Sequence, residues 1–194
     1  FIFSGLIGTF AYANRGEINW LQLIYLTVGA IPGALVGTHT LAQVNADTLK
    51  LFIAIVLIFA AYRQIANLRE KRLHRQSTPS NISLLFVGFI TACLSVLSGT
   101  GGPLVLVPIL TFLAMPLIAV IGLSQAIQIP IAVFATIGNE WSGIIRWEIV
   151  ALLSPGLVLG TFLGAKASER LPVDKIRNLV AFLLLGSGIY MLIN

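Results

Sequence analysis

The fold is decided by residues 82–138, which read ISLLFVGFITACLSVLSGTGGPLVLVPILTFLAMPLIAVIGLSQAIQIPIAVFATIG. This run contains no Asp, Glu, Lys, Arg or His. A helix at the surface of a soluble protein needs a polar face toward water, and no helix drawn from this run has one. A helix that spans a bilayer instead needs about 20 mostly apolar residues. The run therefore predicts helices embedded in lipid.

The composition of the whole chain agrees with a membrane protein. Of its 194 residues, 57% are hydrophobic and 10% are charged, whereas a soluble domain has about 25% charged residues. The net charge of +5 collects in two short loops, which is typical of the cytoplasmic loops of membrane proteins. We therefore expect a lipid bilayer around the chain and no nucleic-acid partner. The single cysteine, Cys93, excludes a disulfide within the chain.

Hydrophobic segments follow one another along the chain and predict an all-α, polytopic helix bundle. The first of them starts among apolar residues, so we expect an N-terminally truncated first repeat. The segments are Phe1–Ala13, Trp20–Ala42, Thr48–Ala66, Ile82–Leu97, Pro103–Met115, Leu117–Gly138, Ile149–Ala167 and Val173–Ile193.

A basic linker divides the chain into two parts. Asn67–Ser80 reads NLREKRLHRQSTPS and carries four Lys or Arg residues, so the positive-inside rule predicts a cytoplasmic loop. We expect residues 1–66 to complete a first transmembrane repeat, residues 67–81 to form the linker and residues 82–194 to form a second repeat. If every segment crosses, the basic loop Lys166–Arg177 is also cytoplasmic. A re-entrant Pro103–Met115 would place that loop outside, so a broken, tilted crossing is favoured.

An internal repeat relates the two parts. Pro32-Gly33 and Gly37-Thr38 recur 123 residues later as Pro155-Gly156 and Gly160-Thr161. In the same order, Asn14, Trp20 and Asp47 are matched by Asn139, Trp147 and Asp174. Equivalent loops would lie on opposite sides of the membrane, so the repeat is predicted to be inverted. The first copy lacks about 45 residues that the second copy has, and the complete protein should approach about 240 residues.

The strongest local signal is Ser98-Gly99-Thr100-Gly101-Gly102-Pro103. Three glycines and a proline break a helix, and lipid cannot satisfy the backbone groups that the break leaves unpaired. Pro103 suits the first position of a new helix. The free N–H groups of Gly101, Gly102 and Leu104 would then form an anion site, with hydroxyls from Ser98 and Thr100. A plain turn or a close helix contact explains the motif equally well.

Two glutamines form a second candidate group. Gln125 and Gln128 are three residues apart and lie on one helix face. Pro130 cannot donate to the carbonyl of Ala126, so amides and a free carbonyl come together in an uncharged stretch. The alternative is a hydrogen bond that holds two helices together. We expect Asn139 to cap a helix end, and His39 to lie at the wet end of its helix.

The sequence offers no support for enzyme chemistry. The apolar part holds no Ser/His/Asp set, no paired carboxylates and no cluster of metal ligands, so no catalytic residue, metal or cofactor is predicted. Glu140, Arg146 and Glu148 lie together in one loop, where we expect them to be solvated.

These residues resemble the sulfite exporter TauE/SafE family, also called the TSUP family of membrane transporters. Its glycine signature is similar to Gly99–Pro103 followed by Pro108, and part of its first repeat is similar to Gly8–Trp20 and Pro32–Gly37. The resemblance implies a multi-pass protein of a bacterial inner membrane that transports small sulfur-containing anions such as sulfite, sulfoacetate or related organosulfonates. A passive anion channel and a membrane-embedded enzyme or assembly subunit are the alternatives, and homo-oligomerisation is left open.

Overall fold

The chain folds into α-helices. The computed structural model describes residues 1–14, 16–41, 43–66, 79–113, 115–143, 145–168, 181–182, 185–186, 188–190 and 193, and within these residues there is no β-strand. The helices are α1 (Ile2–Ala13), α2 (Trp20–Leu41), α3 (Ala46–Ala66), α4 (Asn81–Ser98), α5 (Pro103–Phe112), α6 (Leu117–Trp141) and α7 (Trp147–Ser168). The prediction that the chain is all-α is therefore confirmed for the described residues.

Three of the described helices are long and apolar enough to cross a membrane, namely Trp20–Leu41, Asn81–Ser98 and Ala119–Trp141. Large apolar side chains cover their outer surfaces and those of the shorter helices. Phe10 is 69% exposed and Leu152 is 79% exposed. In water such a surface would aggregate, whereas in lipid it is the favourable one. The outer surfaces of the helices are therefore suited to contact with lipid.

Helix ends coincide closely with the predicted segments because short polar side chains mark them. Asn19 Oδ1 accepts hydrogen bonds from Leu21 N (3.1 Å) and Gln22 N (3.2 Å) at the start of α2. Ser80 Oγ accepts from Ser83 N at the start of α4 (3.2 Å). These contacts satisfy N–H groups that have no partner within the helix. The predicted segment Val173–Ile193 and the basic linker lie largely outside the described residues.

The packing of α2 on α4 depends on glycine. A Cβ atom added to Gly29, Gly33 or Gly88 would collide with the carbonyl oxygen of Leu85, Phe89 or Leu26 respectively. The two backbones are therefore in direct contact, as small residues allow in membrane proteins. Along this interface Gly29, Gly33 and Gly37 meet successive residues of α4, so α2 and α4 run in the same direction.

Helix α6 also runs parallel to α2. Gly122, near the start of α6, lies against Ile18, which comes just before α2, and Gly138, near the end of α6, lies against Thr38. It follows that α4 and α6 have the same direction. The short helix α5, about 15 Å long at 1.5 Å per residue, therefore returns the chain toward the end at which α4 began.

Helix α1 crosses α6 in the opposite direction. Gly5 lies against Gln128 and Ile129, and Gly8 lies against Gln125, so rising numbers in α1 meet falling numbers in α6. Helix α7 packs on α1. Among the described residues, no atom lies within 4 Å of a Cβ added to Gly156 or Gly160 on α7. No part of the described chain thus covers the glycine face of α7, whereas the matching face of α2 is covered by α4.

Candidate functional site

Between α4 and α5 the chain turns through glycines in the left-handed region. Gly99 has φ 65° and forms the C-cap of α4, and Gly101 and Gly102 have φ 73° and 119°. Side chains with a Cβ atom rarely adopt these values, which explains the three glycines. Pro103 then begins α5, where its missing N–H costs no hydrogen bond.

The carbonyl groups at the end of α4 are occupied. Ser98 Oγ donates to Leu94 O (2.7 Å), and Thr100 N donates to Ser95 O (3.1 Å). The hydroxyls of Ser98 and Thr100 also lie 2.9 Å apart, within hydrogen-bonding distance. The negative end of α4 is therefore largely neutralised by the residues of the break itself.

The N–H groups at the start of α5 are not occupied in this way. Within the described part of the chain, the N–H groups of Gly101, Gly102 and Leu104 donate no hydrogen bond. Gly101 and Gly102 are both buried. Buried donors without partners are uncommon and are able to hold a ligand, above all an anion at the positive end of a helix.

The break lies against the middle of α6. A Cβ on Gly102 would come within 3.3 Å of Ile131 Cδ1 and 3.6 Å of Ile127 Cγ2. A Cβ on Gly101 would lie 2.6 Å from the ring of Phe1. Any side chain larger than glycine would thus enter space that is already filled by α6 or by Phe1.

A cavity of about 720 Å³ extends from the break to one end of the bundle. It lies between the start of α1, the second halves of α4 and α6, and the first half of α7. Most of its lining is apolar. The polar side chains that line it are Ser95, Thr136, Asn139, Arg146 and Ser154, and the break contributes Gly99 and Gly101.

Two buried polar atoms on residues that line this cavity have no partner among the described residues. They are Ser95 Oγ, on a residue that is 1% exposed, and the buried oxygen Asn139 Oδ1. By contrast, Thr136 Oγ1 donates to Ala132 O (2.7 Å) and Ser154 Oγ donates to Val150 O (2.6 Å). The expected helix-capping role of Asn139 is therefore not observed, since α6 continues to Trp141 and has Ser142 as its C-cap.

Arg146 is the one ionisable side chain among the described residues that line the cavity. It is exposed, as expected for its loop, and it lies at the start of α7. The neighbouring carboxylate of Glu140 does not line the cavity, since its Oε2 accepts from Trp147 Nε1 (3.1 Å). The guanidinium of Arg146 therefore places a positive charge on the lining of the cavity.

The two predicted glutamines face α1 rather than the cavity. Gln128 is 5% exposed, and its Oε1 accepts from Ser4 Oγ (2.7 Å). Gln125 lies against Gly8. Gln128 thus makes a hydrogen bond between two helices, which was the predicted alternative to a role in anion binding. The two N–H donors of its side-chain amide are not used in this bond.

The structure thus brings only some of the predicted site residues together. Ser98, Gly99, Thr100, Gly101, Gly102 and Pro103 form one continuous turn, while Gln125 and Gln128 belong to the α1–α6 interface. Ser95, Asn139 and Arg146 were not predicted as site residues. Of these three residues, only Asn139 stood out in the sequence, because it is the counterpart of Asn14 in the internal repeat. The described residues contain no group of His, Cys, Asp or Glu that could hold a metal ion.

Comparison with known proteins identifies the family. The profile of the sulfite exporter TauE/SafE family matches residues 1–191. The probable membrane transporter protein YdhB of Bacillus subtilis (strain 168) is 26% identical over 199 residues, which cover 98% of this chain and 80% of the relative. The probable membrane transporter protein YunE of the same organism is 22% identical over 206 residues, which cover 96% and 75%. No solved structure matches the chain. The resemblance seen in the sequence is confirmed, and the chain belongs to the sulfite exporter TauE/SafE family of membrane transporters, which are not enzymes.

Proposed function

We propose that the protein is a secondary transporter of small sulfur-containing anions, such as sulfite, sulfoacetate or related organosulfonates, and that the glycine break holds the anion. The observation that carries this proposal is the set of free, buried N–H groups at Gly101 and Gly102 beside a cavity. Such groups bind an oxyanion without a full opposing charge, so they can also release it.

Ser98, Thr100 and the amides of Gln125 and Gln128 complete the proposed site. The hydroxyls lie within the break, and the glutamines lie on α6, the helix against which the break packs. Because Gln128 Oε1 accepts from Ser4, only its N–H donors would be available to the anion. A small rotation of α1 or α6 would be needed to bring them to the break.

An inverted repeat is the architecture that we propose around this site, with residues 1–66 and 82–194 as the two copies and 67–81 as the linker. The antiparallel crossing of α1 on α6 supports it, because these helices are equivalent in the repeat. A counterpart of the Gly99–Pro103 break in the first copy would then meet it near the bilayer midplane. We place the protein in a bacterial inner membrane as a multi-pass chain.

Substitution of Gly101 tests the proposal. Gly101→Leu should abolish uptake of sulfite by the complete protein in liposomes, because the side chain would collide with the ring of Phe1 and displace the turn whose N–H groups meet the anion. Gly143→Leu is the matched control, since Gly143 has a similar φ of 65° but open space around it. Both variants place a side chain at a similar positive φ, but only Gly101→Leu also meets Phe1. Uptake is therefore compared at equal amounts of folded, inserted protein, and normal uptake by Gly101→Leu would refute the site.

A passive anion channel is the remaining alternative. Uptake through a transporter saturates with substrate concentration and responds to an ion gradient, whereas flux through a channel rises nearly in proportion to concentration. Measuring the initial rate over a wide range of sulfite concentrations, with and without a proton gradient, separates the two.

A further inference from the structure

The two hydroxyl groups of the break form a chain of hydrogen bonds whose direction is fixed. Ser98 Oγ lies 2.7 Å from Leu94 O, and Ser98 must be the donor because a carbonyl oxygen only accepts. A serine hydroxyl has a single hydrogen to donate. In the 2.9 Å contact between Ser98 Oγ and Thr100 Oγ1, Thr100 must therefore donate and Ser98 must accept. The hydrogens of both hydroxyls are thus used within the break.

Thr100 consequently offers an acceptor, and not a donor, to a ligand. A hydroxyl oxygen has two lone pairs, and within the described part of the chain no group donates to Thr100 Oγ1. Thr100 is half-buried, whereas Ser98 is only 7% exposed. The less buried of the two hydroxyls is therefore the one whose lone pairs remain available.

This acceptor adjoins the free N–H groups of the break. The N–H groups of Gly99 and Thr100 both donate to carbonyl oxygens of α4. Among the described residues, the first free N–H group after α4 therefore belongs to Gly101, which follows Thr100 directly and lines the cavity. Donors and an acceptor thus lie side by side. An oxyanion without a hydrogen would be held by the donors but repelled by the lone pairs of the hydroxyl oxygen.

We propose that the break selects an oxyanion that carries an O–H group as well as its negative charge. Thr100 Oγ1 accepts from this O–H group, and the N–H groups of Gly101 and Gly102 donate to the charged oxygens. The inference rests on the proposed transport of small anions and adds to it the protonation state of the anion and the residue that recognises it. Hydrogensulfite has such an O–H group, whereas the sulfite dianion has none. The transported anion would then bring its own proton to the site.

The positive groups near the break do not provide this selection. Arg146 and Phe1, with its amino group, both line the cavity. A positive charge attracts two anions of equal charge and similar shape to the same extent. A comparison of two such anions, one with an O–H group and one without, therefore isolates the contribution of the hydroxyl acceptor.

Methylphosphonate and methanesulfonate are such a pair. In mildly acid buffer each carries one negative charge and a methyl group on a tetrahedral centre, but only methylphosphonate retains an O–H group. Their binding to the complete protein in lipid nanodiscs is measured by titration calorimetry, with sulfite as the reference ligand. We expect methylphosphonate to bind at least about tenfold more tightly than methanesulfonate, the usual effect of a hydrogen bond to a charged group.

The outcomes separate this inference from the proposed function. Equal or weaker binding of methylphosphonate, beside measurable binding of methanesulfonate or sulfite, would overturn the inference and leave the proposed function intact. Absence of binding by all three anions would refute the proposed function itself, and the inference with it.

Substitutions at the two hydroxyls test the assignment of Thr100. Thr100→Val removes the acceptor and should abolish the difference between the two affinities, whereas Thr100→Ser should restore it. Ser98→Ala leaves the Thr100 hydroxyl free to donate, so it should strengthen the binding of methanesulfonate relative to methylphosphonate.

The matched control is Thr136→Val, because Thr136 lines the same cavity and its hydroxyl donates to Ala132 O. The ratio of the two affinities should stay at the wild-type value in this variant. A general loss of folded protein lowers both affinities together and does not change their ratio. A wild-type ratio in Thr100→Val would overturn the assignment of Thr100.

Discussion

Gly5 of α1 lies directly against Gln128 of α6, where two helices that are equivalent in the internal repeat cross. A Cβ on Gly5 would lie only 3.1 Å from the Cβ of Gln128. In an inverted repeat, equivalent helices near the two-fold axis cross in opposite directions. The axis of the proposed repeat would therefore pass close to this contact.

Gly5→Leu should lower the stability of the protein by about 1–3 kcal/mol, the usual cost of overpacking. The added side chain would meet Ile129 Cγ1, which is 3.0 Å from a Cβ at this position. Thermal unfolding in detergent measures the loss. Because shortening Ile129 makes room, the double variant Gly5→Leu/Ile129→Ala should be less damaged than the two single changes predict together. Strict additivity would argue against this crossing.

Gly33 on α2 and its counterpart Gly156 on α7 allow the same substitution to be compared in the two copies of the repeat. Gly33→Leu should destabilise the protein by about 3 kcal/mol, because the carbonyl of Phe89 cannot move away. If the repeat is inverted, the open face of α7 is covered in the complete protein by a helix equivalent to α4. Gly156→Leu should then have a comparable effect on the melting temperature.

The control for this pair is Leu152→Ala, since Leu152 is 79% exposed and its loss should change the melting temperature little. A complete protein that tolerates Gly156→Leu as well as Leu152→Ala, but not Gly33→Leu, would contradict the proposed repeat.

Two substitutions separate the roles of Gln128. Ser4→Ala and Gln128→Leu both remove the hydrogen bond between α1 and α6, and each should lower stability by about 1 kcal/mol. Only Gln128→Leu also removes the amide donors, so it alone should reduce sulfite uptake strongly. Uptake is measured in liposomes at equal amounts of inserted protein. Similar uptake by the two variants would restrict Gln128 to helix packing.

The sidedness of the loops can be measured by labelling. Single cysteines near Gln76 and near Asn45, in a Cys93→Ala background, should react with a membrane-impermeant maleimide from opposite sides, with Gln76 facing the cytoplasm. The background change is mild, because the contact of Cys93 with Gly37 includes its backbone carbonyl. Labelling of both positions from the same side would refute the predicted topology.

Helix positions were predicted well from the sequence because they depend on local chemistry. Apolar length sets the helices, and Asn19, Ser80 and Pro103 mark where helices begin. The glycine break was visible for the same reason, since left-handed backbone conformations require glycine at Gly99 and Gly101.

The remaining site residues could not be predicted because they depend on how helices pair. Ser95 looks like any serine in an apolar helix, and only the packing shows that its hydroxyl is buried without a partner. Arg146 was assigned to a solvated loop with two glutamates. It is exposed there, but the position of α7 also places it on the lining of the cavity. Neither fact is encoded in local spacing or composition.

The contacts between the backbones of α2 and α4 also constrain how the protein moves. Helices that touch through Gly29, Gly33 and Gly88 cannot slide past one another without collisions between main chains. These two helices must therefore behave as one rigid body during a transport cycle. If the protein is a secondary transporter, as proposed, alternating access would then depend on displacement of α7, most of whose described side chains are exposed, against this fixed scaffold.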